Sequence, residues 1–207
     1  VWAYLGPEAS PPPLPQLEWN LVPADQRYVT KRVQFNNWFQ ALEGGIDSSH
    51  VNFIHAMLNT GVSPGREAQQ GFVKYIANDK HPHFETLDTE AGTLIAARRN
   101  AEADSYYWRV NHYLMPFYTL FPPSGPDPAG SGHAWVPVDD ETTVVFHWTY
   151  HPLRALTERE LAAMHQGVGG QDGFHPSVGA MRPATSVPFG AFHPQQRAEN
   201  DYLHSRE

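Results

Sequence analysis

Strand-like and helix-like runs of apolar residues succeed one another along this chain, separated by polar, Pro-rich or Gly-rich stretches. Residues 28–35 (Tyr-Val-Thr-Lys-Arg-Val-Gln-Phe) are rich in β-formers and predict a strand entering Asn36, a suitable helix cap. From Asn36 to about Asn59 the spacing by four of Trp38, Leu42 and Ile46 predicts a helix. Gly44 and Gly45 weaken that helix in its middle, which suits a place where other backbone comes close. After a polar loop around Ser63 to Gln70, further strand-like runs are Phe72–Ile76, Thr93–Ala97, Tyr106–Tyr113, Tyr118–Phe121 and a long one from His133 to Tyr150. The last is expected to turn at Asp139-Asp140 as a hairpin. Thr157-Glu158-Arg159-Glu160 is a capping box and predicts a helix over Thr157–Gln166. Val1–Leu5 is strand-like and leads into Pro7, Pro11, Pro12, Pro13 and Pro15, an extended linker suited to crossing between domains. Consecutive antiparallel strands flanked by helices indicate an α+β domain with a curved sheet wrapped over helices.

Composition narrows the function classes. With 207 residues, 41% hydrophobic and 13% aromatic, the chain fits one globular domain with a real core. A formal charge of −8 without any Lys/Arg run argues against a nucleic-acid surface. No apolar run approaches the ~20 residues of a membrane span. The chain opens on Val1 without an initiator Met or signal peptide, so its N-terminus is read as a cut edge, with targeting information lost upstream. Cysteine is absent, which removes disulfides, thiolate nucleophiles, Cys-based zinc sites and thiolate-held clusters from this segment. The 12 His and 22 Asp+Glu remain for metal or acid–base chemistry, compatible with iron chemistry in the cytoplasm.

The informative string is Asp47-x-x-His50-x-x-x-x-His55. On an ideal helix of ~100° per residue, Glu43, Asp47 and His50 share a stripe, while His55 lands ~140° from His50. The two imidazoles therefore meet at one ion only if the helix is broken or carries a π-turn between them. A helix bearing Asp47 and two structurally satisfied histidines has the same spacing. His81 with His83, and His147 with His151, are further pairs, but Pro82 and Pro152 favour strand-end or loop roles for them. Arg98, Arg99 and Arg109 lie in strand runs. On a pocket-facing strand any of the three can hold a substrate carboxylate in a bidentate pair, with Arg98 and Arg109 taken as the substrate-binding candidates. A solvated sheet face or a subunit contact is at least as good a role for each. Tyr106, Tyr107, Trp108, Tyr113 and Phe117 fit a core, with alternate rings available to an aromatic pocket.

The string from Asn37 to His55 resembles the iron-binding helix of Rieske non-heme iron oxygenase α subunits, most of all the branch of phthalate dioxygenase and aryl-ether O-demethylases. The match runs in order along nearly the whole chain. It includes Val1-Trp2-Ala3-Tyr4-Leu5-Gly6-Pro7, Trp135-Val136-Pro137-Val138-Asp139-Asp140-Glu141, His147-Trp148-Thr149-Tyr150-His151-Pro152 and Glu199-Asn200-Asp201-Tyr202-Leu203 with Arg206. The resemblance implies a catalytic mononuclear-iron domain over residues 1–207, of helix-grip type. His50 and His55 are implied as the iron-ligating imidazoles. Asp47 is implied as the carboxylate that hydrogen-bonds an iron-ligating His and the cluster His of a neighbouring subunit.

The cluster's Cys-x-His and Cys-x-x-His ligands are absent, so a [2Fe-2S] Rieske domain is expected upstream. A third ligand, an aspartate, is expected beyond Glu207; Asp172 and Asp201 lie outside the matching context. The implied function is a cytoplasmic terminal oxygenase. Electrons come from NAD(P)H through a reductase or ferredoxin, and O2 oxidises an aromatic, carboxylated substrate in a symmetric oligomer, most simply a trimer. Dihydroxylation and O-demethylation or monooxygenation use the same ligands. The rivals are a non-catalytic helix-grip module binding a small molecule, and a zinc hydrolase, which needs a closed ligand set inside this chain.

Overall fold

Seven strands form one antiparallel sheet in a computed structural model that describes residues 6–7, 9–53, 70–123 and 127–165. In chain order the elements are α1 (Glu18–Leu21), β1 (Arg27–Gln34), α2 (Trp38–Ile46), α3 (Gln70–Asn78), β2 (His83–Thr89), β3 (Gly92–Asn100), β4 (Tyr106–Leu114), β5 (Tyr118–Phe121), β6 (Gly130–Pro137), β7 (Thr143–Tyr150) and α4 (Glu158–His165). The sheet order is β1-β7-β6-β5-β4-β3-β2, so β2 to β7 form a meander of neighbours and β1 closes against the last strand. This is the expected α+β, helix-grip architecture of a curved antiparallel sheet with helices on it.

Side-chain alternation divides the sheet into two differently covered faces. On one face Trp19 of α1 stacks on Trp148 of β7, ring centroids 4.5 Å apart, beside Ala134 and Tyr150. On the other face Leu42 of α2 packs on Trp135 and Val145. Gly45 is where α2 comes closest. A Cβ there would sit 3.0 Å from the Thr119 hydroxyl and 3.3 Å from the Trp135 indole nitrogen. Those two groups are hydrogen-bonded to each other at 3.0 Å. Gly44 has no neighbour within 4 Å of its would-be Cβ, so only Gly45 serves close approach.

Several expected elements fall where the pattern placed them, including Tyr118–Phe121 and the β6–β7 hairpin in the register Trp135↔Val145. Others differ. The helix cap is Asn37, whose side chain accepts from the Phe39 N–H at 3.0 Å, rather than Asn36. Helix α2 ends at Ile46 instead of running toward Asn59. Phe72–Ile76 belongs to helix α3, not to a strand. A short apolar run without alternation fits a packed helical turn equally well, and here Ile76 is buried. Strand β2 was not anticipated because all seven of its residues are exposed and no apolar alternation marks it. Val1–Leu5 and the segment from Gln166 onward lie outside the described residues.

The capping box of α4 forms as expected. The Glu160 N–H donates to the Thr157 hydroxyl at 3.2 Å, and the Thr157 N–H donates to Glu160 Oε2 at 2.7 Å. Arg154 adds bonds of 2.9 and 2.8 Å to the same carboxylate. The Arg154 guanidinium, with Thr157 after it, outweighs partial burial and holds the Glu160 carboxyl at about 2 instead of 4.5. Glu160→Gln is therefore expected to cost about 1–2 kcal/mol at neutral pH. A depressed carboxyl contributes stability above its unfolded pKa and loses it as pH falls through the folded one. The gap between the wild-type and variant melting temperatures should thus close as pH drops from 4.5 toward about 2. A gap that stays constant through that window would show that the cap works through shape alone.

Candidate metal centre

The chemistry-bearing residues sit just beyond the point where α2 stops. Asp47 is extended (φ −78°, ψ 117°), although its N–H still donates to the Glu43 carbonyl at 3.0 Å. A single 3-10 turn, His50–Asn52, then begins in a new direction. The Asp47 carboxylate organises this break. Oδ1 accepts from the Ser49 N–H at 2.8 Å and from the Ser49 hydroxyl. Oδ2 accepts from the His50 N–H at 3.0 Å and faces His50 Nδ1 at 3.1 Å. Partial burial pushes the Asp47 carboxyl up, but the bonds from Ser49 and His50 together hold it below the usual carboxylate range.

An ionised Asp47 facing Nδ1 selects the imidazole tautomer with the proton on Nδ1 and the lone pair on Nε2. A metal-ligating imidazole has the same arrangement, its second nitrogen donating to a carboxylate that fixes the ring. The donor chemistry of this pair therefore fits a divalent metal. The expected helical stripe of Glu43, Asp47 and His50 does not form, because the break at Asp47 replaces it with a tighter contact. His55 lies outside the described residues, as do Asp172 and Asp201. Among the described residues no three His, Asp or Glu side chains gather into a metal site.

The sheet face toward α2 carries polar side chains aimed at this turn. Arg99, 1% exposed, donates from Nη2 to the Ser48 carbonyl at 2.7 Å and from Nε to the Asp79 carbonyl at 3.1 Å. Asn111 donates to the Gly45 carbonyl at 3.2 Å and accepts from the Ser48 hydroxyl at 3.3 Å. The register pairs Ala97 with Arg109 and Ile95 with Asn111, so Arg109 shares the face of Arg99 and Asn111. Burial lowers the Arg109 guanidinium pKa, opposed by its bond to Tyr107.

Arg98 is not brought there. It lies on the opposite face, over the rings of Tyr106 and Trp108 at 4.5 and 5.9 Å. Asn52 is buried beside His50, and neither of its amide atoms has a hydrogen-bond partner among the described residues.

Among the described residues the secondary histidines enter no group of three or more metal-ligating side chains. His83 opens β2, and His151 follows β7 as a buried loop pin, its Nε2 2.7 Å from Asp127. His147 is a correction, since it stands inside β7 and not at a strand end, opposite His133 with ring centroids 4.8 Å apart. Burial, then His147 and Arg32, push His133 well below the ordinary histidine value, so that ring stays neutral. Asn111 and Asn52 were not singled out by sequence reasoning, and Arg99 was weighed there only as a carboxylate-holding arginine beside Arg98 and Arg109. One signal was present for Arg99: in a strand, a doublet such as Arg98-Arg99 must send one guanidinium to each face.

Residues 3–173 match the family described as LigXa C-terminal domain like. The chain is 36% identical over 158 residues to the 3-chlorobenzoate-3,4-dioxygenase oxygenase subunit of Comamonas testosteroni, covering 75% of this chain and 36% of that protein. It is 28% identical over 164 residues to the tert-butanol monooxygenase / tert-amyl alcohol desaturase oxygenase subunit of Aquincola tertiaricarbonis, covering 72% and 34%. It is 25% identical over 185 residues to the phthalate 4,5-dioxygenase oxygenase subunit of Pseudomonas putida, covering 85% and 42%. The chain thus spans between 34% and 42% of the length of these relatives. It belongs to this family, the catalytic C-terminal domains of Rieske oxygenase α subunits.

Proposed function

We propose that this domain holds the mononuclear Fe(II) of a terminal oxygenase that oxidises an aromatic, carboxylated substrate by ring hydroxylation or O-demethylation. The observation that carries the reading is the Asp47–His50 pair at the break after α2, with Nδ1 on the carboxylate. In this proposal His50 and His55 are ligands, and two imidazoles with one carboxylate leave open positions on the metal. When bound, Fe(II) supplies the centre at which O2 is reduced at the expense of the substrate and the incoming electrons. The remaining work belongs to the chain. Asp47 keeps a proton on His50 Nδ1 and the ring's lone pair outward. It also receives the cluster His of a neighbouring subunit, in a symmetric oligomer of trimeric type fed by NAD(P)H through a reductase or ferredoxin. Its side chain is 38% exposed, so another group can reach it. Four donors already engage the carboxylate, close to its capacity of about four lone-pair sites. A bridging imidazole would therefore replace the Ser49 hydroxyl, the one donor that can rotate away.

Arg109 is the group proposed to pair with the substrate carboxylate, on the face that also carries Arg99 and Asn111. Two of the three relatives bear the names of aromatic acids, chlorobenzoate and phthalate, in support of that substrate class. Arg109→Met is expected to raise KM for such an acid by ~10- to 100-fold with a smaller change in kcat. The test is substrate-stimulated O2 uptake and product formation by the intact protein with its reductase, across benzoates, phthalates and their methyl esters. Equal rates for acids and esters would remove the carboxylate from the reading. The absence of stimulation by any aromatic compound would remove the aromatic oxygenase.

A further inference from the structure

We infer that Arg99 and Asn111 act as a clamp from the sheet that sets the position of the Asp47–His50 turn, making both of them positioning residues for the metal centre. The inference rests on the proposed metal role of His50. Helix α2 stops at Ile46, so apart from the Asp47 N–H the turn lies beyond the helix's hydrogen-bond ladder. Its placement therefore needs other anchors, and β3 and β4 supply them. Asn111 takes the Gly45 carbonyl, one of the carbonyls a helix end leaves unpartnered, and the Ser48 hydroxyl. Arg99 takes the Ser48 carbonyl. The anchored residues, Gly45 and Ser48, bracket Asp47 on both sides.

Arg99 is an expensive residue to use for this. It is 1% exposed, and its hydrogen bonds to Asp79 and Ser48 go to neutral carbonyls, not to a paired carboxylate. Its Nη1 is buried without a hydrogen-bond partner among the described residues. A cation buried on such terms gains little stability, since an apolar side chain of similar size is often as good or better. What it gains is geometry. A planar fork fixes the Ser48 carbonyl and the Asp79 carbonyl at once, which no aliphatic side chain can do. The Asp47 carboxylate also lies within its electrostatic reach. Ser48 is 2% exposed, so its bonds to Arg99 and Asn111 are shielded from competing water.

The test uses the intact protein carrying its cluster, in four variants: Arg99→Met, Arg99→Lys, Asn111→Leu and His50→Ala. Fe(II) affinity is read by competition with a colorimetric chelator, and site geometry by the electron paramagnetic resonance line shape of the nitric-oxide adduct of the ferrous centre. Melting temperature is followed beside them. Arg99→Met is expected to weaken Fe(II) binding by ~10- to 100-fold and to alter the line shape, with the cluster retained. Arg99→Lys should recover part of the affinity, because an ammonium can reach the Ser48 carbonyl but not the second one as well.

Wild-type affinity and line shape in Arg99→Met would overturn the clamp. If that variant does not accumulate as folded protein, Asn111→Leu decides alone by the same two readouts. His50→Ala separates the two layers. Should it bind iron normally, the metal reading itself fails and the clamp with it. Should it lose iron while the clamp variants stay normal, only the clamp fails.

Discussion

His50→Ala in the intact protein is expected to abolish mononuclear iron binding and substrate-dependent turnover while the Rieske cluster's visible spectrum keeps its full strength. The substitution removes one of the proposed imidazole ligands and leaves the backbone capping in place. The residue 50 N–H can still donate to Asp47 Oδ2, and Ser49 still donates twice to Oδ1. The His50 side chain is 25% exposed, so truncation opens no enclosed cavity and should cost about 1 kcal/mol of stability. Iron per cluster, the cluster spectrum and the melting temperature, taken on one preparation, check the prediction. Iron retained at wild-type stoichiometry would sink the ligand assignment. Loss of both centres together would mean that the domain had not folded.

Asp47→Asn should have the second-largest effect, and the structure says why this near-isosteric change is not a mild one. The carboxylate uses both oxygens as acceptors, Oδ1 toward Ser49 and Oδ2 toward the His50 N–H and ring. An amide has one acceptor. If its oxygen stays with Ser49, its NH2 group meets the His50 N–H, donor against donor. The same NH2 favours the opposite imidazole tautomer, with the lone pair on Nδ1 and the proton on the nitrogen that should face the metal. Expected results are a stability loss of about 1–2 kcal/mol and an iron affinity and turnover each lower by ~10- to 100-fold. Titration with excess Fe(II) then separates two roles. If Asp47 only orients His50, saturating iron restores the rate of cluster reoxidation with substrate and O2. If it also bridges subunits, reoxidation stays slow with every site filled.

The sequence was most informative where local chemistry alone decides the outcome. The capping box at Thr157–Glu160 and the strand Tyr118–Phe121 needed no knowledge of distant residues, and both formed as expected. The run from Trp38 to Ile46 was legible as a helix, but its end was not. Asp47 terminates it by side-chain bonds to Ser49 and His50, which compete with the helical ladder as short acidic side chains do. Helical periodicity carries no sign of that competition. Strand β2 gave no signal because hydrophobic pattern reports burial, and its residues are exposed. For the site, spacing singled out the string from Asp47 to His50 but left a structural role equally open, and only the family resemblance implied their part in a metal centre. The anchoring role of Arg99 and Asn111 stayed hidden because it works mainly through backbone carbonyls, and a carbonyl leaves no trace in the identity of the residue that owns it.

The span of the contacts around Ser48 has a bearing on how the protein is made. Ser48 and Arg99 are 51 positions apart, Ser48 and Asn111 are 63, and Gly45 and Asn111 are 66. Asp47 and His50 leave the ribosome well before β3 and β4 exist, and closing loops of this size is among the slower steps of folding. During that interval the bonds to Asp47 hold His50 without the anchors that Arg99 and Asn111 add. A loosely held imidazole selects metals by intrinsic affinity, which favours copper and zinc over ferrous iron. In the proposed metal role of His50, selectivity for ferrous iron thus depends on the distant strands, and the order of synthesis exposes the pair to competing ions until β3 and β4 have formed.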